Sequence, residues 1–341
     1  MRGGRLGTRF DGNQSGEFRE IVESLETQPM HTVQGKKDGR AAPPTRARLT
    51  AEGAVTPPTV TVIIPARNEA RNLPYVLPLV STLVTEVIVV DGRSSDSTVQ
   101  MARLFEPNVR VIHQSGRGKG DALRCGIAAS RGDIVVLMDA DGSTDPQEIP
   151  RFVQALLDGA DYVKGSRYLP SGGSADFTRA RNIGNRLLTV FANLVLGAHF
   201  TDFCYGYNAF WRDISEVVPI DCEGFEVEAQ LNSRAARARL SIAEVPSYER
   251  PRIHGDSNLR PARDGVRIAL TVLRERWWRA PEADWGVADQ QDGITGSSAT
   301  GTRTAPDGRQ RTGTPPMSGI RAITRGGSPM QKVTTHGCGA R

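Results

Sequence analysis

The chain has 341 residues, with 43 Lys and Arg against 38 Asp and Glu and a formal net charge of +5. The excess sits at the ends: residues 1–50 carry 9 bases and 6 acids, residues 281–341 carry 7 and 5, and the stretch between is balanced at 27 each. A balanced middle removes the electrostatic case for nucleic acid as a partner of the folded part, and the longest apolar run, residues 187–200, is broken by Thr189 and Asn193 and is too short to cross a bilayer.

Residues 1–56 are polar, rich in Gly and Arg and without sustained periodicity, so they are expected to be a disordered tail. No apolar stretch suited to a secretory signal occurs near Met1. The four cysteines, Cys125, Cys204, Cys222 and Cys338, are scattered without metal-type spacing and are read as reduced thiols of a cytoplasmic protein. Residues 281–341, dominated by Gly, Thr, Ser, Arg and Pro, are expected to form a second disordered tail. One α/β domain over residues 57–280 remains, with a first half at 57–168 and a second at 169–280.

In chain order, "TVTVIIPA" (59–66), "EVIVVDG" (86–92), "VRVIHQ" (109–114), "DIVVLMDAD" (133–141) and "DYVKGSRY" (161–168) read as short β-branched strands buried on both faces. Helices are expected between them at 69–83, 95–105 with Ser95 as N-cap, 119–130, and 146–158 opened by Pro146. Repeated strand–helix alternation implies a doubly wound, mostly parallel sheet with helices on both faces. After Arg181 the pattern loosens into a helix at 179–197, the extended piece "DFCYGYNAFW", a helix in "FEVEAQLNSRAARAR", the strand "SIAEVPSYER" and a final helix at 261–279.

Open parallel sheets bind ligands beyond the carboxyl ends of their strands, and the chemically loaded residues fall there. Strand one ends in Pro65-Ala66-Arg67-Asn68-Glu69, strand two in Asp91, and strand four in Asp139-Ala140-Asp141. Two carboxylates leaving a buried strand repel each other and lose solvation, which suits a hard cation. Mg²⁺ or Mn²⁺ so held completes its shell with phosphate oxygens and would prepare a diphosphate as leaving group; capping of the next loop by Asp141 and Ser143 is the plainer alternative. "SGRGKGDA" (115–122) fits no standard phosphate loop, yet it sits between strand and helix, where backbone N–H groups and Lys119 or Arg117 could meet an anion; a flexible turn is the alternative. Asp91 could accept from a nucleobase N–H or cap its own segment. Residues 187–197 have an apolar side preceded by Arg179, Arg181 and Arg186, compatible with a peripheral helix at a membrane's inner face or with burial in the core.

Taken together, "VTVIIPARNEARNL", "VIVVDGRSSDST", "GKGDALRCGIAASRGDIVVLMDADGSTDP", "VKGSRY", "FCYGYNAFWRD" and "GFEVEAQL" resemble a family 2 glycosyltransferase of GT-A fold, in its polyprenyl- or dolichyl-phosphate sugar synthase-like branch, over about residues 59–279. The resemblance implies metal-dependent, inverting transfer from a UDP- or GDP-sugar. It places Pro65, Arg67, Glu69 and Asp91 around the nucleoside and Asp139 and Asp141 on the metal-bound diphosphate. Ser143 stands where the family often has a metal-contacting Gln. By the same likeness Arg167 and Arg181 serve an acceptor phosphate and Arg252 belongs to the segment that closes over the diphosphate. Ser257-Asn258 departs from the Ser-Lys usual in the lipid-phosphate enzymes, and a C-terminal membrane segment like that of some relatives is not seen.

A polyprenyl phosphate acceptor is already ionised and needs chiefly positioning and neutralisation. A hydroxyl acceptor on a sugar or small metabolite needs a carboxylate base, for which Glu226, Glu228 and Asp202 are candidates. Glu226 and Glu228 are two apart and cannot share a helical face, so one at most points into the site; their alternative role is favouring a helix N-terminus. A sugar-1-phosphate nucleotidyltransferase and a non-catalytic nucleotide-binding module complete the alternatives.

Overall fold

The computed structural model describes residues 30–34, 48–49, 55–256 and 260–281. Their centre is an eight-stranded mixed sheet built from β1 (His31–Gln34), β2 (Val60–Ala66), β3 (Glu86–Asp91), β4 (Arg110–His113), β5 (Ile134–Leu137), β6 (Tyr162–Ser166), β7 (Asn208–Trp211) and β8 (Ile242–Pro246), in the order β1-β8-β6-β7-β5-β2-β3-β4. The half β5-β2-β3-β4 is all parallel, as the alternating pattern predicts. Ile63, Ile64, Ile88, Val89, Val135 and Val136 are fully buried, because helices cover both faces and leave no solvated side for polar alternation.

The helices of eight or more residues are α1 (Leu73–Ser81), α2 (Thr98–Phe105), α3 (Gly118–Ala129), α4 (Ile149–Leu157), α5 (Arg179–Leu196), α6 (Val227–Arg237) and α7 (Pro261–Glu275). Their ends correct several expectations. The N-cap of α2 is Ser97, not Ser95; the Ser95 N–H donates instead to Asn68 Oδ1 (2.8 Å), tying the turn after β3 to the loop after β2. The stretch expected as one helix at 146–158 begins as a three-residue 3₁₀ turn, where the Gln147 N–H donates to the Asp145 side chain, and becomes α-helical at Ile149.

Two features of the sheet were not anticipated. β7, read from sequence as an extended piece, lies antiparallel between β5 and β6, so β6 is not the next parallel strand after β5 but pairs in parallel with β8. Residues 31–34, expected within a disordered tail, form an edge strand antiparallel to β8 with Val33 buried. His31 Nε2 donates to the carbonyl of His199 (3.1 Å) and fixes that edge to the turn after α5. Most of the remaining tail positions in 1–56 and 281–341 lie outside the described residues, as do Ser257 and Asn258.

Helix α5 overturns the reading of 187–197 as a core segment. Its buried side chains are Asn185, Thr189 and Ala192, whereas Ile183, Leu187, Val190 and Leu194 face out, Leu194 being 80% exposed. No helix among the described residues is long and apolar enough to cross a membrane.

Candidate active site

A cleft of about 1240 Å³ opens beyond the carboxyl ends of β2, β3, β5 and β6 and runs on between α5 and α7. Its walls include Pro65, Arg67, Glu69, Lys119, Asp139, Asp141, Ser143, Arg167, Arg181, Glu228 and Arg252. Asp91 is absent from the lining; its buried carboxylate accepts from the Ser94 N–H (3.2 Å) and faces His113 Nδ1 (3.1 Å), and Gly92 forms the wall instead.

β5 ends at Leu137, where the Met138 N–H still donates to the carbonyl of Ile63 (3.1 Å), so Asp139 and Asp141 lie in the turn just past the ladder. Each is paired with a cation of the protein, but each cation is shared with a second carboxylate. Lys119 Nζ sits between Asp139 Oδ1 (2.6 Å) and Glu228 Oε1 (2.7 Å). Burial opposes the charge on Lys119, yet the two carboxylates outweigh it and hold its pKa above the ordinary lysine value. Arg252 reaches Asp141 Oδ2 (3.0 Å) and both Glu69 oxygens (2.9 and 3.1 Å), and these partners likewise raise its pKa against the effect of burial. Ser143 donates its N–H (2.9 Å) and its hydroxyl (2.7 Å) to Asp141 Oδ1, so it orients that carboxylate.

The residue types suit a divalent cation brought in with a diphosphate. Among the described residues no group of three or more His, Cys, Asp or Glu could hold a metal alone. Asp139 contributes one oxygen to Lys119, and its side chain stays one-third exposed toward the cleft. One or two carboxylates with phosphate oxygens is the usual Mg²⁺ or Mn²⁺ arrangement. Lys119 and Arg252 relieve the repulsion between the aspartates only in part, since the two cations serve four carboxylates and leave the cluster negative.

The glycines of "SGRGKGDA" answer to packing. Gly118 has φ +80°, and a Cβ there would lie 2.1 Å from the Glu223 carbonyl oxygen; a Cβ on Gly120 would lie 2.2 Å from that of Cys222. The Gly120 N–H donates to the Glu223 carbonyl (2.9 Å), so the first turn of α3 holds segment 222–224 rather than presenting that amide to a phosphate.

Arg167 is enclosed. It forms a two-pronged pair with Asp202 (Nε to Oδ2 2.7 Å, Nη2 to Oδ1 3.0 Å), a third contact to Glu249 (3.0 Å), and lies over the rings of Phe177 and Tyr205 at 4.5 and 4.6 Å. Burial raises the Asp202 carboxyl, but the charge and hydrogen bonds of Arg167, together with Lys164 and Asn185, outweigh it and hold the pKa at about 2. Below this pair lies fully buried Lys164, whose pKa burial lowers despite Asp202 and Glu244 nearby. Arg181 is more open and pairs with Asp176. Glu228 lines the cleft and Glu226 does not; Glu226 lies 3.7 Å from Arg267. Tyr207, Phe210 and Trp211 are buried in the core, and Tyr205, on the cleft wall, lies under the Arg167 guanidinium.

Arg260, Arg263 and Arg267, part of a basic run at 250–279 but not singled out one by one from the sequence, line the end of the cleft between α5 and α7. Their spacing, three and then four residues, put them on one helix face, and this was the available signal.

A family model described as glycosyl transferase family 2 matches residues 61–218. The undecaprenyl-phosphate mannosyltransferase of Micrococcus luteus is 31% identical over 247 residues, 69% of this chain and 97% of that one. The polyprenol monophosphomannose synthase of Mycolicibacterium smegmatis is 31% identical over 248 residues, 69% and 89% of the two chains. The glucosyl-3-phosphoglycerate synthase of Mycobacterium tuberculosis, solved with Mn²⁺, UDP-glucose and phosphoglyceric acid, aligns with a TM-score of 0.54 at 26% identity, covering 71% of this chain and 86% of that one. The chain belongs to the family 2 glycosyltransferases, in their polyprenyl-phosphate sugar synthase branch. It is a hexosyltransferase of GT-A fold.

Proposed function

We propose that the enzyme moves a hexose, with inversion, from a UDP- or GDP-sugar onto the phosphate of a polyprenyl phosphate. The observation that carries this reading is the state of the candidate bases: Asp202 is held in a two-pronged pair by Arg167, and Glu228 is paired with Lys119. Neither stands free to take a proton from a hydroxyl, whereas an acceptor phosphate arrives ionised. Its oxygen forms the new bond to the anomeric carbon as the bond from that carbon to the diphosphate breaks, and no proton must move.

Pro65, Arg67 and Glu69 would border the nucleoside. Asp139 and Asp141 would hold Mg²⁺ or Mn²⁺ on the donor diphosphate, which supplies Lewis-acid neutralisation of the leaving group. The solved relatives crystallised with Mn²⁺ or Mg²⁺ support that use. Lys119 and Arg252, joined to the aspartates from either side, hold them in place and add positive charge where the diphosphate departs. Arg167, fully engaged by Asp202 and Glu249, acts by shaping the acceptor wall, and Arg181 is the more accessible cation there.

Peripheral contact with an anionic membrane fits the same reading. Ile183, Leu187, Val190 and Leu194 on α5 and Val266, Leu270, Leu273 and Trp277 at α7 repeat one spacing and are all exposed, with arginines beside them. A second reading, transfer to a small phosphorylated hydroxy acid, takes its support from the structural likeness to an enzyme solved with phosphoglyceric acid.

One experiment separates them. Purified enzyme with Mn²⁺ and a panel of nucleotide sugars is offered undecaprenyl phosphate in anionic vesicles, undecaprenol, or phosphoglyceric acid. Release of nucleoside diphosphate is expected with the lipid phosphate, together with co-sedimentation with the vesicles. Equal rates with undecaprenol, or turnover with phosphoglyceric acid alone, would overturn the assignment.

A further inference from the structure

We infer that β1 is a positioning element of the active site: docked on β8, it fixes the turn at 199–202 through His31 and Glu244, and with that turn the Asp202 carboxylate that holds Arg167 on the cleft wall. Taking that wall as the acceptor's side rests on the function proposed above.

β1 comes from ahead of the alternating strand–helix pattern, and residues 35–59 separate it from β2. It is a small strand. Its four residues pair antiparallel with β8, the register slips between Thr32 and Gln34, and its one apolar side chain, Val33, is buried. An edge strand this short opens more readily than the centre of the sheet.

Both of its links lead to one place. His31 stands directly opposite Glu244, so the two side chains share a face of the sheet. On that face His31 Nε2 donates to the His199 carbonyl (3.1 Å). Glu244 accepts from the Thr201 N–H (2.8 Å), the Thr201 hydroxyl (2.7 Å) and the Asp202 N–H (3.1 Å). Helix α5 holds the start of the same turn, where Asn193 exchanges two hydrogen bonds with Phe200 (2.8 and 2.9 Å). Asp202, at the end of the turn, makes the two-pronged pair with Arg167.

The Glu244 carboxylate explains how an edge strand reaches the site. It is wholly buried, with His31 beside it on one side of the sheet and Lys164 on the other. Hydrogen bonds to a buried carboxylate are strong because water is kept from it. Lifting β1 opens the β8 edge to solvent, water competes for Glu244, and the amides of Thr201 and Asp202 lose their fixed acceptor. Asp202 and Arg167 can then shift together. β2, β3 and β5, which lead to the residues proposed for the donor, stand at least three strands away from β8 in the sheet order and share none of these contacts. The effect is therefore directed at one wall of the cleft.

The test uses the full chain carrying Val33→Asp, which puts a charge where β1 buries its apolar side chain and so releases the strand. Hydrogen exchange is expected to speed up at residues 242–244 and at the Thr201 and Asp202 amides. KM for undecaprenyl phosphate in vesicles should rise about tenfold, a usual size for coupling between linked sites. By contrast kcat, and the affinities for UDP and GDP by calorimetry, should stay within about twofold, as for groups that share no partners. His31→Ala should give a smaller shift of the same kind, and His31→Gln, which keeps a donor, should reverse it. A synthetic peptide of residues 28–36 added to the Val33→Asp chain should restore both protection and KM. Faster exchange along β8 with Thr201, Asp202 and KM as in the parent makes β1 an edge cover alone and overturns the inference. An equal loss of nucleotide affinity marks general unfolding and overturns it as well. Should the parent turn over phosphoglyceric acid and no prenyl phosphate, the lipid-phosphate reading falls; the same KM shift with that acceptor would still support the role of β1, and its absence would end it.

Discussion

Asp141→Ala is expected to lower kcat/KM for sugar transfer by about two to three orders of magnitude, the usual effect of removing one preorganised group that stabilises charge in the transition state. The fold should survive. Arg252 keeps both oxygens of Glu69 at 2.9 and 3.1 Å, and Ser143 remains on the cleft wall. The thermal midpoint should therefore stay within about 2 °C, as for a partly exposed polar substitution. Asp141→Asn retains an acceptor for Ser143 but not the charge, and it should lose nearly as much. Steady-state kinetics, with calorimetry of nucleoside diphosphate in Mn²⁺ and in chelator, check both. Full activity in either variant, or nucleotide affinity indifferent to chelation in the parent, would remove the aspartates from the reaction.

Arg167→Ala is expected to cost about 3–5 kcal/mol of stability, because it leaves the Asp202 carboxylate buried without its main counter-ion. For a domain of this size that is a fall in thermal midpoint of about 10 °C. Arg167→Met combined with Asp202→Asn should recover part of the loss, since no uncompensated charge then remains. The acid dependence has a definite sign. Asp202 holds a pKa of about 2 in the folded protein, against roughly 3.9 when unfolded. Its contribution, on the order of 2 kcal/mol, is thus complete above about pH 4 and is lost as pH falls through 2. Thermal unfolding by circular dichroism across pH 2–7 tests this. A midpoint for Arg167→Ala within 2 °C of the parent would contradict it.

What could be read from the chain depended on how local the physical cause was. β2, β3 and β5 were legible because "VTVII", "EVIVV" and "IVVL" are β-branched runs of strand length, and the acidic turn was legible because it follows such a run. β7 was not, since "NAFW" is four residues with a polar first member and its two partners lie far away in sequence. β1 is a four-residue strand in polar surroundings, and only its pairing with β8 gives it a place. The i, i+4, i+7, i+11 spacing of Ile183, Leu187, Val190 and Leu194 showed an amphipathic helix, but periodicity does not say which side faces water. The pairings that define the site, Lys119 between Asp139 and Glu228 and Arg252 between Glu69 and Asp141, join separate elements and become visible only in three dimensions.

β7 carries a consequence for how the reactants meet. It is hydrogen-bonded on one side to β5, which leads to Asp139 and Asp141, and on the other to β6, which leads to Arg167. The two seats cannot drift apart as hinged lobes without breaking main-chain ladders. In the proposed reaction the distance from the acidic turn to the wall held by Arg167 would thus be set when the chain folds, and part of the entropic penalty of alignment met before either substrate arrives.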